Sequence, residues 1–534
     1  ISKPHDLLQN AISMIDGGDG VFGPGDYFLF YAKGPHKVNY NASGQLFTQQ
    51  VHLYCDTSYY FINVGSTSIT QKLVSQQSSS SSPATHIVNT FDDFMYLEQD
   101  KINFIKSGRE WYGDLYDFTT EYTYNFAFPN IDLTQSVRVK TDLAARTPGS
   151  GASNFLVTSP GTTGSVTVVI PGVGTGAYTA AANPGNGIMT FMPSSSNVSV
   201  KVKFNKATST SQGWLNYIQV QARRNLIHFG DQMHFRDKNS VGAGNVAEFV
   251  LSGVSGSMQL WDVTEPDNAS QLNVSVVSGQ IVFRTNADIM HEYIAFRSNS
   301  CPTPFAFGKV SEQNLHSLSP RDLIIITHPQ FYAQAAELAA FHESEGTGTI
   351  LVTTDQVYNE FSSGMKDATA IKQFLRMFYE RAAGDPALLP KYVLLFGDGS
   401  YDNKNRVGGN TSFIPTYQSF ESTMVTVSFV SDDYFVHLDP TENMNNSDQL
   451  DMAIGRIPCR NQVEAQGVVN KIKLYSQNTG TTSLESASAC DLTGTEFSMG
   501  EWRNWYGFVA DDEDFNSYID AAEQFADSLK VWYP

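Results

Sequence analysis

The sequence predicts a multidomain protein, with all-β, sandwich-like domains first and an α/β domain with a largely parallel sheet after them. Two observations carry this. Up to about residue 314 the apolar residues come in short alternating runs broken by turn residues, whereas after Ser319 continuous apolar runs alternate with helix-like stretches. Alternation marks a strand buried on one face; a continuous run marks a strand covered on both faces, as parallel sheets are. The expected units are an N-terminal β domain over 1–90, a β-sandwich-like region over 91–318, and an α/β domain over 319–534.

In the first unit, Tyr27–Tyr31 and His52–Tyr54 read as strands between Asp-Gly and Gly-Pro turn signals. The loop Asp16–Gly20 imitates part of a calcium-binding loop, but Ile15 and Gly17 stand where the first and third ligands belong, so a β-turn is expected. Ser75 to Ser82 offers no apolar side chain to bury and reads as a flexible loop. In the second unit, Val198–Phe204 and Gln280–Phe283 typify the strands of a sandwich. The glycine-rich Gly172–Gly176 lacks the strand-loop-helix setting of a dinucleotide site and reads as a loop.

In the third unit, Leu323–Ile326, Thr349–Val352 and Tyr392–Phe396 are the expected strands, with Leu323–Ile326 and Val393–Phe396 central and near neighbours. Helices are expected over Phe331–Glu343 and over Ala368–Ala383, the latter with Ile371, Phe374, Leu375 and Phe378 on one face. Asn461–Tyr475 reads as an amphipathic helix packed through Val463, Val468, Ile472 and Tyr475. Tyr506–Ala510 reads as a strand, Ser517–Lys530 as a helix, and Val531–Pro534 as the lead into a further strand.

A formal charge of −20, from 34 Lys and Arg against 54 Asp and Glu, argues against nucleic-acid or anionic-membrane binding, both of which need clustered cations. No apolar run is long enough to span a bilayer as a helix. The chain opens on Ile1 without Met or a signal-like stretch and reads as a processed or excised product. Cys55, Cys301, Cys459 and Cys490 fit no zinc spacing. Cys459 and Cys490 could pair in an oxidising compartment, but buried or idle thiols are expected.

Four segments in order, Thr327-His328-Pro329, Tyr358–Gly364, Leu394–Asp402 and Ile454–Pro458, resemble the gingipain family of cysteine peptidases. Upstream, Asp19–Tyr27, Ser107–Gly113 and Trp261–Thr264 resemble its cell-surface sortase branch more than its secreted proteases. The resemblance implies a caspase-like fold and a Cys-His dyad acting at the outer-membrane surface. It further implies removal of the C-terminal sorting domain from cargo of the type IX secretion system and transfer of that cargo to anionic lipopolysaccharide. The implied partners are such cargo, an outer-membrane β-barrel anchor and lipopolysaccharide, with no nucleic acid and no required cofactor. In this family the catalytic histidine sits in a His-Gly pair and the cysteine follows later. None of the eleven histidines here precedes a glycine, so the chain is expected to stop before both residues, leaving an incomplete α/β domain that is inactive alone. Phe508–Asp514 resembles the segment ending in the acid that orients the histidine, which implies Asp512 in that role, with Asp511 next; otherwise the strip is a solvated acidic loop.

Other polar groups carry weaker expectations. Asp398–Asn403 follows a buried strand at its carboxyl end, where hard oxygen donors could hold a structural calcium, although the same residues are ordinary strand-to-loop punctuation. His328 is expected to cap a turn. Arg456, after the acidic strip Ser431–Tyr434, could pair with Asp433 or another carboxylate. Three readings of function follow: a surface sortase, a secreted gingipain-like endopeptidase, or a non-catalytic surface binding module on a degenerate peptidase fold.

Overall fold

A computed structural model describes residues 7–64, 70–176, 178–445, 448–476, 506–511 and 514–532. Two β-sandwiches precede the α/β domain. In the first, one sheet runs Asn183–Phe191, Val137–Arg146, Gln212–Asn225, Thr90–Glu98, with Leu115–Tyr116 added to the long third strand. The facing sheet runs Ser165–Pro171, Ala152–Thr158, Asn197–Asn205, Glu121–Ala127. Every pairing in both sheets is antiparallel, and the inward residues of the alternating strands form one core, with Val139, Leu143, Ile218 and Val220 against Phe155, Val168, Val200 and Phe204.

The second sandwich is assembled from two distant parts of the chain. Its sheets are Gln232–Arg236, Glu292–Phe296, Gln259–Asp262, Ser270–Leu272, Ser75–Gln77 and Ile281–Asn286, Val246–Leu251, His86–Val88. Ser75–Gln77 was expected to be loop; it is instead an edge strand parallel to Ser270–Leu272. Backbone N–H and C=O groups make that pairing, so polar side chains do not prevent it, and Gln76 adds a side-chain bond to Gln271 (3.1 Å). The Asp16–Gly20 turn forms as expected, with Asp16 and Asp19 carboxylates accepting from Gly18 N and Val21 N.

The α/β domain has four parallel strands, β1 (Leu323–Thr327), β2 (Thr349–Thr353), β3 (Tyr392–Phe396) and β4 (Ala453–Ile457), in the order β2-β1-β3-β4. The expected neighbours β1 and β3 pair directly, Leu323 opposite Tyr392 through Thr327 opposite Phe396. Residues alternate between two cores. Leu323, Ile325 and Phe396 face α1 (Tyr332–Ser344) through Leu338 and Phe341, with Ala465 and Val469 joining them. Ile324, Ile326, Val393 and Leu395 face α2 (Thr354–Phe361) and α3 (Ala368–Ala382) through Val357, Ile371, Phe374 and Leu375. α2, not among the expected helices, opens on a capping box of Thr353 and Gln356, visible in the sequence as Thr-x-x-Gln.

Three readings are corrected here. In α4 (Gln462–Ser476) Ile472 packs on the core as expected, but the buried residues are Ala465 and Val469, while Val463 is 83% exposed, so the packed face is rotated from the expected one. Residues 506–511 form no strand; Val509 is fully exposed, and among the described residues no sheet edge pairs with it. Val531 and Trp532 belong to α5 (Ser517–Trp532) rather than to the start of a strand.

Candidate functional site

Parallel strands end on the same side of the sheet, so their loops gather at one edge, where open α/β sheets keep ligands. That edge is formed here by Thr327-His328, the start of α2, Gly397–Thr416 and Ile457–Cys459. His328 caps the turn Pro329–Phe331, its Nδ1 accepting from Gln330 N at 3.2 Å, and its ring packs on Phe413 at 5.0 Å. Burial pushes the imidazole below its usual titration range. The residue is a cap, as expected.

Arg456 clamps the edge together. Its guanidinium forms a fork on Asp432, Nε to Oδ2 at 2.8 Å and Nη2 to Oδ1 at 2.7 Å, and it also donates to Gly397 O, Ile414 O and Pro415 O, each at 3.2 Å. The partner is Asp432, not the neighbouring Asp433. A planar fork meeting a carboxylate and three carbonyls fixes the loop geometry in a way a lysine could not.

In the Asp398–Asn403 loop three carboxylate oxygens are engaged from within the chain, while Asp402 Oδ1 is buried and receives no hydrogen bond. Asp398 accepts from Gly399 N (2.9 Å) and Thr411 Oγ1 (2.7 Å), and Asp402 Oδ2 accepts from Val407 N (2.9 Å). The Lys366 ammonium sits among Asn403 O (3.1 Å), Ser412 O (2.8 Å) and Ser412 Oγ (2.9 Å). Burial lowers the Lys366 ammonium to a pKa of about 8, with nearby Asp402 opposing that shift. Among the described residues no group of three or more His, Cys, Asp or Glu side chains could hold a metal ion. Nothing in the sequence around Lys366 announced this role.

The N-terminal chain reaches the same edge. His52–Tyr54, expected as a strand, is an irregular strap on the α/β domain. His52 Nε2 donates to Asp367 at 3.3 Å, Tyr54 Oη to Thr416 O at 3.2 Å, and Ser363 Oγ to Tyr59 O at 2.8 Å. A second bridge comes from Ser107–Trp111. Gly108 N bonds Gln418 Oε1 (3.1 Å), Arg109 N bonds Ser419 O (3.1 Å), Arg109 Nε bonds Gln418 O (2.7 Å) and Glu110 N bonds Ser422 Oγ (2.9 Å). Trp111 then stacks on Tyr401, centroids 5.6 Å apart and planes within 9°.

The described cysteines are not poised as nucleophiles. Burial pushes the Cys459 thiol up to about 11, and burial raises Cys301 as well. Cys55 Sγ donates to Thr57 O (3.0 Å), while His52 Nδ1 accepts the Cys55 backbone N–H rather than touching its sulfur. Cys490 and Asp512 lie outside the described residues, and Asp511 is exposed.

A family profile described as Peptidase family C25 matches residues 316–534. No curated protein sequence matches the chain. Among solved structures, the crystal structure of dimeric latent PorU from Porphyromonas gingivalis superposes with a TM-score of 0.73 over 88% of this chain at 23% identity. At that identity the likeness is one of fold, and this chain spans 45% of the PorU chain. A complex of Porphyromonas gingivalis RgpB pro- and mature domains matches over 30% of each chain at 19% identity, with a TM-score of 0.21. The segment 316–534 therefore matches the profile of peptidase family C25 and stands behind β domains in the same fold arrangement as the PorU structure.

Proposed function

We propose that this chain is the N-terminal and central part of a surface sortase of the type IX secretion system. That enzyme is a cysteine endopeptidase that removes the C-terminal sorting domain of exported cargo and joins the cargo to anionic lipopolysaccharide. The observation that carries the reading is the joint at Ser107–Trp111. The segment resembling the sortase branch is the one that grips the α/β loop Gln418–Ser422, so the upstream β domains are built into the peptidase edge rather than strung before it. This favours the sortase over a secreted endopeptidase.

In such an enzyme a thiolate attacks the scissile carbonyl, backbone N–H groups hold the oxyanion, and an amine rather than water resolves the thioester. Asp512 would orient the imidazole, fixing its tautomer and stabilising the imidazolium. Cargo bearing sorting domains, an outer-membrane β-barrel anchor and lipopolysaccharide would be the partners, and the bacterial outer surface the location.

The test uses the complete gene product with a cargo protein carrying its sorting domain. The reading expects release of that domain and, with an added amine, an amide adduct at the new C-terminus. Cleavage of unrelated proteins at equal rates with no adduct would favour the secreted endopeptidase; no cleavage of either substrate would leave the binding-module reading. The 534-residue chain alone should not be labelled by a peptidyl electrophile. Labelling of one cysteine that is lost on mutating a single histidine would refute this.

A further inference from the structure

The first sandwich and the α/β domain enclose a cavity of about 240 Å³ between them, with Glu98, Asp100 and Glu110 in its lining. Glu98 ends the strand Thr90–Glu98 and accepts from Tyr96 Oη at 2.5 Å. Asp100 is ion-paired with Arg406 of the α/β loop, yet its Oδ1 is buried and receives no hydrogen bond. A buried carboxylate oxygen without a donor is costly. The nearest protonatable neighbour is Glu98, two residues away and in the same cavity lining as Asp100.

We infer that Glu98 keeps its proton at neutral pH and donates it toward the buried Asp100 carboxylate, and that losing it loosens the seating of the first sandwich on the α/β domain. The surrounding charges leave Glu98 without a cation. From the α/β loop, Arg406 is taken by Asp100 and Lys404 by Asp56. From the bridging segment, Arg109 is bonded to Gln418 O and lies over Phe420, 4.1 Å from the ring centroid. That segment also brings Glu110, which shares the Asn216 amide with Asp142 at 2.8 and 3.1 Å. From the long strand Gln212–Asn225, Tyr217 stacks on Tyr96 at 5.3 Å. On the N-terminal side stand His36 and His52, His52 held by Asp367.

Burial first, and the Asp100 charge second, raise Glu98 from 4.5 to about 8. A carboxyl raised on docking keeps a proton that the separated domains would release. Docking is therefore strongest at acid pH and weakens as pH climbs from about 4.5 to about 8, by at most roughly tenfold in the docking constant per pH unit.

The test takes the whole chain and two variants, Glu98→Gln and Asp100→Asn, across about pH 5 to about pH 9. Infrared difference spectra should show a protonated-carboxyl band that fades near pH 8 and is missing in Glu98→Gln. Proteolytic nicking of the Gly397–Thr416 loop should rise over the same range in the parent and stay flat in Glu98→Gln, whose amide still donates but cannot titrate. Asp100→Asn should move both transitions toward acid. A band and a nicking profile unchanged by Glu98→Gln overturn the proposal. Should Glu98→Gln lose its fold by circular dichroism, an Asp100→Asn profile that does not shift overturns it instead.

Discussion

Gly108→Ala tests whether the Ser107–Trp111 bridge is a rigid dock. Gly108 has φ +84°, and a Cβ there would lie 2.2 Å from Ser422 Oγ, 2.3 Å from Glu421 O and 2.7 Å from Ser422 Cα, two of them backbone atoms. The left-handed conformation alone costs about 1 kcal/mol for alanine. The larger cost comes from moving the segment away. Bonds from Gly108 N, Arg109 N, Arg109 Nε and Glu110 N to the α/β domain are then lost together, about 1 kcal/mol each, for a total near 5 kcal/mol. The control is Gly149→Ala, because Gly149 has a similar φ of +88° and open space around its Cβ position, so it should lose only the backbone term of about 1 kcal/mol. Calorimetry should resolve the α/β domain from the sandwiches as a separate, earlier transition in Gly108→Ala and not in Gly149→Ala. Equal thermal profiles for the two variants would refute the docking argument.

Four further outcomes are expected. Asp432→Ala leaves the Arg456 guanidinium, 12% exposed, without its carboxylate, and should cost about 3–5 kcal/mol in thermal or denaturant unfolding; Arg456→Lys, losing the fork, should also destabilise. Cys459 should resist iodoacetamide in the native chain and react on unfolding, since burial both hides it and raises its thiol to about 11. Glu360 is held below its usual range because bonds from Leu315 N, Gln313 and the His316 side chain and backbone outweigh burial. A depressed carboxyl stabilises above the unfolded value and loses that contribution as pH falls through the folded one, so acid unfolding should begin at higher pH in Glu360→Gln. In the complete enzyme, Asp512→Asn should slow release of the sorting domain roughly 10–10⁴-fold with little change in melting; unchanged processing in Asp511→Asn, Asp512→Asn and Asp514→Asn alike would make this strip a solvated loop.

The α/β core was readable because burial on both faces leaves a local signature: Leu323–Thr327 is buried at every position. What escaped the sequence was set by distant partners. His52–Tyr54 has the aromatic character of a strand, but its bonds go to Asp367 and Thr416 rather than to a neighbouring strand. Ser75–Gln77 shows the converse, a strand made by backbone pairing with no side-chain signal. Tyr506–Ala510 is apolar enough for a strand, yet a strand exists only where another edge accepts it, and residues 506–511 meet none among the described residues. At the edge itself, His328 as a cap followed from its place after β1. Lys366 did not, since a lone lysine in a loop says nothing of the carbonyls that surround it.

The strap and the bridge also set the order in which this chain can mature. Their bonds join residues 362 apart at Tyr54–Thr416, 304 apart at Tyr59–Ser363 and 310 apart at Gly108–Gln418. Contacts of such long sequence separation pay loop-closure entropy before they return any stability, and they form late. The sandwiches leave the ribosome or a membrane pore first and can fold on arrival, whereas the Gly397–Ser428 loops wait for partners made hundreds of residues earlier. Until that meeting, the carboxyl edge of the α/β sheet exists with unbraced loops. Assembly of the edge is thereby timed by the synthesis of residues 397–428, which close onto a strap and a bridge made long before them.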